Sequence, residues 1–123
     1  ASDFVAQTGV DALAIAVGTA HGAYQLPPKL DFERIEEIAS RVATPLVLHG
    51  GSGLTDKDFR RAIQRGISKI NIFTDLNTAG AAGAELGLSE GKRTLTSLIL
   101  YQVAAVQAAT EVKMELFGSA GKA

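Results

Sequence analysis

The chain has no cysteine, which excludes disulfides and thiolate metal centres and fits a reducing, cytoplasmic compartment. It also has almost no net charge: 12 Lys and Arg stand against 13 Asp and Glu, a balance of −1. That balance points to neither a nucleic acid nor an acidic membrane surface as a partner. Charged residues interrupt the apolar runs before the ~18 residues that a bilayer span requires, so no membrane-crossing segment is expected. The opening Ala1-Ser2-Asp3-Phe4 has neither the basic nor the apolar region of a signal peptide. No internal repeat, linker or low-complexity segment interrupts the chain. What it does have is 46% hydrophobic residues and 13 glycines over 123 residues. This is the composition of a packed domain with tight turns, long enough for a core of its own.

The stretch around which the rest is organised is Val47-Leu48-His49-Gly50-Gly51-Ser52-Gly53. An apolar run from Pro45 ends on an imidazole, three glycines and a serine follow, and Thr55 opens a helix. A strand passing through a glycine-rich turn into a helix presents backbone N–H groups to an anion. The histidine adds a metal ligand or an acid/base beside that cradle.

Around this stretch the apolar pattern alternates between strands and helices. Phe4, Val5 and Val10 mark the tail of an amphipathic helix. Asp11 to Val17 reads as a strand covered on both faces, followed by Gly18-Thr19-Ala20-His21-Gly22. Asp31 is the expected N-cap of a helix over Phe32 to Val42, with Phe32, Ile35, Ile38, Ala39 and Val42 on one face. Pro45 starts the second strand. Thr55-Asp56-Lys57-Asp58 reads as a capping box for a helix to Gln64 or Arg65, closed by Gly66. Ile67 to Phe73 is the third strand, carrying Lys69 and Asn71. A helix over Leu76 to Leu86 is expected to be interrupted at Gly80 and Gly83 and to close near Gly87. A longer helix over Lys92 to Leu116 places Leu95, Leu98, Ile99, Val103, Val106 and Leu116 on a shared face, and the tail after it reads as irregular. The order β-α-β-α-β-α-α argues for an α/β fold of parallel strands with helical crossovers.

His21 and His49 are the only histidines, 28 positions apart and each followed by glycine. Neighbouring strand ends lie ~5 Å apart, which lets two imidazoles converge on one ion at ~2.0–2.1 Å from each nitrogen. The alternative is that each histidine only hydrogen-bonds loop backbone at the end of its strand. Gly50-Gly51-Ser52-Gly53 reads either as a phosphate nest with the Ser52 hydroxyl as an extra donor or as a turn needing positive φ. Asn71 and Thr74 suit donation to a phosphate or a substrate hydroxyl. On the other reading, Thr74 or Asp75 is the N-cap of the next helix.

Three segments in this order, Gly18-Thr19-Ala20-His21-Gly22, Pro45 through Gly53, and Lys69-Ile70-Asn71-Ile72-Phe73-Thr74, resemble the class II, zinc-dependent ketose-bisphosphate aldolases. The ending Phe117-Gly118-Ser119-Ala120-Gly121-Lys122-Ala123 resembles that family's C-terminus as well. The resemblance implies the C-terminal portion of a (β/α)8 TIM barrel: its last three strands with their helices and a long C-terminal helix, residues 1–123 forming part of a single barrel domain. It further implies that His21 and His49 are two of three zinc ligands. Gly22, Gly50, Gly51, Ser52, Asn71, Ile72, Phe73 and Thr74 would hold the dihydroxyacetone phosphate half of the substrate. Some family members also bind a monovalent cation, Na+ or K+, near the phosphate loop. The family's catalytic Asp, carried in an Asp-His-Gly segment with the third zinc histidine, is expected upstream of Ala1, and the proton-transfer glutamate loop is absent from this stretch.

The function so implied is reversible, zinc-dependent aldol cleavage of a ketose 1,6-bisphosphate, with fructose 1,6-bisphosphate as the expected substrate. The alternatives are a tagatose-1,6-bisphosphate or other phosphorylated-ketose aldolase, or a non-catalytic barrel subunit that binds a phosphorylated ligand. A homodimer or homotetramer is expected for the complete protein. Residues 1–123 alone are expected to be aggregation-prone and inactive.

Overall fold

The computed structural model describes residues 1–19 and 28–122. The expected site residues His21 and Gly22 therefore lie outside the described residues. The chain forms two compact units, Ala1–Ile72 and Phe73–Ala123.

In the first unit, α1 (Ser2–Thr8) leads to β1 (Leu13–Ala14), α2 (Phe32–Arg41), β2 (Leu46–Leu48), α3 (Asp56–Gln64) and β3 (Ile67–Ile70). The three strands form one parallel sheet in the order β1-β2-β3. Leu46, Val47 and Leu48 of the central strand are all buried, as a strand covered on both faces requires. Val17, Leu30, Ile35, Leu46, Leu48, Ala62 and Ile67 form the core, so each of α2 and α3 contributes its apolar stripe to one continuous cluster.

Local signals set the helix ends. The Asp31 side chain accepts the N–H of Arg34 at 2.9 Å and starts α2. At α3, Thr55 accepts the Asp58 N–H, and the Asp58 carboxylate accepts the Thr55 N–H at 3.1 Å, a complete capping box. Gly66 follows α3 at φ +116°, and a β-carbon there would approach the Ala39 methyl to 2.5 Å. Both the backbone and the packing of α3 on α2 therefore require glycine at this position.

The strands are shorter than the apolar runs that announced them. Asp11 to Val17 narrows to Leu13–Ala14, and Ile67 to Phe73 narrows to Ile67–Ile70. Pro45 precedes β2 rather than starting it, yet its carbonyl accepts the Leu13 N–H at 2.9 Å and so extends the pairing with β1.

The second unit is a pair of helices, α4 (Thr74–Ser89) and α5 (Leu95–Phe117). The expected interruption of α4 at Gly80 and Gly83 does not occur; both glycines, with Gly87, are buried inside a continuous helix. They are contact points rather than breaks. A β-carbon on Gly83 would stand 2.5 Å from the Tyr101 carbonyl oxygen, and one on Gly87 would stand 3.0 Å from a Leu98 methyl. Removing these side chains lets the two helix backbones approach.

α5 starts at Leu95, not Lys92, on a second capping box between Thr94 and Ser97. Its inward stripe matches the expected face only in part. Leu98 and Val106 lie against α4, whereas Leu95 is 77% and Val103 57% exposed. Polar links also tie the pair together, among them Lys113 to Asp75 at 2.7 Å and the Tyr101 hydroxyl to Glu90 at 2.5 Å. The expectation about apolar runs needs correction here. No charged residue stands between Arg93 and Glu111, and α5 is long and apolar enough, by length and composition, to cross a bilayer.

Candidate functional site

The site is built where β2 and β3 end. Leu46 pairs with Ile67, but the register then shifts, so that Val47 pairs with Lys69 and Leu48 with Ile70. Ser68 is the extra residue of this irregularity. An unbroken register would have set Ile70 beside His49. The insertion sets Asn71 there instead, and the Asn71 N–H closes the junction by donating to the Leu48 carbonyl at 3.0 Å. A bulge that re-aims a side chain next to a functional site is a recurring use of this defect.

The result is a direct contact between two of the expected site residues. The Asn71 amide nitrogen lies 2.9 Å from Nε2 and 3.3 Å from Nδ1 of His49. On the other side, the Lys69 ammonium donates to Asn71 Oδ1. Lys69 is a site residue that sequence reasoning left without a role. Its signal was there: a lysine inside an apolar strand, two positions before Asn71 and so on the same face of that strand.

The glycine turn follows His49 directly. Gly50 has φ +66° and Gly53 φ +88°, and the Gly51 carbonyl accepts the Leu54 N–H at 3.2 Å. Gly51–Leu54 is thus a hydrogen-bonded turn whose third residue needs positive φ, which glycine adopts without strain. Gly51 is glycine for a different reason. It is buried, and a β-carbon there would lie 3.0 Å from the Phe59 ring and 3.2 Å from the Ile72 side chain. Ser52 is half-buried at the second position of the turn.

The first unit therefore brings together His49, Gly50, Gly51, Ser52, Asn71 and Ile72. The remaining two expected residues belong to the second unit. Phe73 is the N-cap of α4, makes no side-chain cap bond and is 75% exposed, while Thr74 is the first helical residue. Neither Thr74 nor Asp75 is the cap. The Phe73 carbonyl accepts the Asn77 N–H at 2.9 Å, the first hydrogen bond of the helix.

Whether these residues suit a metal is a question of donors. His49 is half-buried at a strand end and is a donor of the right kind for zinc. Among the described residues no group of three His, Asp or Glu side chains converges. His49 therefore fits as one ligand, and a complete zinc site needs partners from beyond the described residues.

Comparison with known proteins decides the family. Residues 1–122 match the family described as fructose-bisphosphate aldolase class-II. The chain belongs to this aldolase family. Over 77 residues, 63% of this chain and 27% of the relative, it is 53% identical to the D-tagatose-1,6-bisphosphate aldolase subunit GatY of Klebsiella oxytoca. The crystal structure of the YdjI aldolase from Escherichia coli K12 superposes with a TM-score of 0.87 at 38% identity, covering 99% of this chain and 44% of that one. Fructose-bisphosphate aldolase from Campylobacter jejuni superposes with a TM-score of 0.80 at 20% identity, covering 95% and 43%, and so shows the shared fold alone. The chain spans less than half the length of these relatives. Its fold is the C-terminal part of an α/β aldolase barrel.

Proposed function

We propose that the protein containing these residues catalyses reversible aldol cleavage of a ketose 1,6-bisphosphate to dihydroxyacetone phosphate and glyceraldehyde 3-phosphate. The observation that carries this reading is the pairing of His49 with Asn71 at adjacent strand ends, directly before the glycine turn. One imidazole suited to a metal, one amide suited to a substrate oxygen and one backbone cradle suited to a phosphate stand together. That is the equipment for holding the dihydroxyacetone phosphate half of such a substrate.

In this reading residues 1–123 are part of one barrel domain. Cleavage of a C–C bond beta to a ketone leaves a carbanion that must be stabilised as an enediolate. Zinc held by His49, by His21 and by a third ligand outside this chain would supply Lewis-acid chemistry for that purpose. The chain's own residues bind and orient. The N–H groups of Gly50, Gly51 and Ser52 and the Ser52 hydroxyl face the phosphate, and Asn71, followed by Ile72, donates to a substrate oxygen. A monovalent cation beside the phosphate turn, a homodimeric or homotetrameric assembly and a cytoplasmic location belong to the same proposal.

Fructose 1,6-bisphosphate and tagatose 1,6-bisphosphate differ only in configuration at C4 and cleave to the same products. The family description favours the first, and the 53% identity to a tagatose-bisphosphate aldolase subunit favours the second. The test is a cleavage assay on the full-length protein with both epimers, after EDTA treatment and again after zinc is restored. We expect activity that EDTA abolishes and zinc recovers, with the ratio of kcat/KM values naming the substrate. Cleavage of neither epimer, with no zinc in the purified protein, would instead identify a non-catalytic phosphate-binding subunit. The 123 residues alone are expected to be inactive, since among the described residues no three metal-ligating side chains converge.

A further inference from the structure

We propose that Lys69 is a positioning residue: it fixes the amide of Asn71 with its NH2 group towards His49, so that Asn71 donates rather than accepts at the strand ends. The argument begins with the two faces of an amide. Asn71 can present its carbonyl oxygen or its NH2 group to His49, and the two differ by a half-turn of the amide with little change in shape. A lysine ammonium has three donors and no acceptor. Because the Lys69 ammonium donates to Oδ1 of Asn71, the NH2 group is left on the His49 side, where it lies 2.9 Å from Nε2. Turning the amide over would set donor against donor at Lys69 and forfeit a charge-assisted bond.

The backbone keeps the two side chains in register. Lys69 and Asn71 are two residues apart beyond the irregularity at Ser68, so they project on the same side of β3, and Lys69 pairs across the sheet with Val47. An unbroken register would put Ile70 beside His49 in place of the asparagine that Lys69 holds. The ammonium also polarises the amide it holds, which strengthens the N–H bonds on the far side as donors. The ligand chemistry favoured is therefore an acceptor oxygen, held most strongly when it carries negative charge, as the oxygen of an enediolate or an alkoxide does. An oxygen that has to donate a proton is disfavoured.

The catalytic consequence rests on the aldolase reading, but the clamp does not, and the experiment separates them. The full-length protein is prepared as wild type, Lys69→Met, Lys69→Arg, Asn71→Ala and the double variant Lys69→Met/Asn71→Ala, with zinc content and Tm measured for each. We expect Lys69→Met to lower kcat/KM by roughly tenfold, and Asn71→Ala by about a hundredfold, the scale of losing one oxyanion donor. Lys69→Arg should stay within about threefold of wild type, because its fork restores a charged donor. In the Asn71→Ala background, Lys69→Met should cost less than about twofold, since the lysine would have nothing left to orient. A full, undiminished loss in that background would overturn the proposal, as would a Lys69→Met variant indistinguishable from wild type. The second readout needs no activity. With asparagine labelled by 15N, the Asn71 side-chain NH2 pair should be displaced in wild type and return towards ordinary amide positions in Lys69→Met. An unmoved pair overturns the clamp itself. A wild-type protein that cleaves no phosphorylated ketose refutes the functional reading and leaves the NMR comparison to decide the clamp.

Discussion

Gly51 is buried against Phe59, close enough that a β-carbon on the glycine would stand 3.0 Å from the aromatic ring. Phe59 is fully buried on α3 and has little room to retreat. Gly51→Val in the full-length protein should therefore do two things at once. It should weaken binding of the phosphorylated substrate, and it should lower stability by about 1–3 kcal/mol through overpacking. Paired measurements of KM and of the urea midpoint check this. A raised KM with an unchanged midpoint would mean that Phe59 and Ile72 yield freely.

Gly83 should resist even the smallest side chain. Glycine to alanine inside a helix ordinarily gains about 1 kcal/mol. Here the new methyl would stand 2.5 Å from the Tyr101 carbonyl and 2.9 Å from the Ala105 methyl, and a backbone carbonyl cannot swing aside. Gly83→Ala should lower Tm. Gly80→Ala meets only a Val106 methyl at 3.3 Å and should be nearly neutral. Equal effects of the two substitutions in thermal unfolding would refute the close-approach account of these glycines.

Asp31 should carry a pH dependence on the acid side. Its carboxylate is held below the usual value of 3.8, first by the Arg34 backbone N–H and then by the Arg34 side chain. A carboxyl group with a lowered folded pKa contributes stability that is present above its unfolded value and is lost as pH falls through the folded one. The cap on α2 should thus weaken only below about pH 4. Asp31→Asn, which still caps, should abolish that dependence. An NMR titration of the Asp31 carboxyl reads the midpoint directly, and a midpoint at or above 3.8 contradicts the prediction.

Tyr101 behaves in the opposite sense. Its hydroxyl donates to Glu90, and this bond to a carboxylate raises the phenol above its usual 10.0. A group whose neutral, protonated form is favoured by folding contributes stability that is full below the unfolded pKa and is lost as pH rises through the folded one. The link between Tyr101 and Glu90 should hold through neutrality and fail only in strong alkali. Absorbance titration of tyrosinate should show one late-ionising tyrosine that becomes ordinary in Glu90→Gln. No change between the two proteins would remove the assignment.

Much of the first unit was legible because its signals are short-range. Asp31 caps the residue three positions on, Thr55 and Asp58 cap one another, and Gly66 ends the helix immediately before it. Such contacts span a few residues, so the residue types alone determine them. The order of motifs ending at His49 and at Asn71 likewise announced an aldolase-like arrangement before any strand was placed.

The tertiary structure decided what depends on a partner distant in the chain. Gly80 and Gly83 looked like breaks in α4, because a glycine that weakens a helix and a glycine that admits a neighbouring backbone are the same residue; only the nearness of Tyr101 and Val106 tells them apart. The inward face of α5 was foreseen only in part for the same reason. Alanine, glutamine and leucine alternate closely enough along it for several faces to qualify, and contact with α4 selects the one bearing Leu98 and Val106. The pairing of Asn71 with His49 depends on one irregular residue at Ser68. Strand register is a property of two strands hydrogen-bonded to each other, and neither strand read singly contains it.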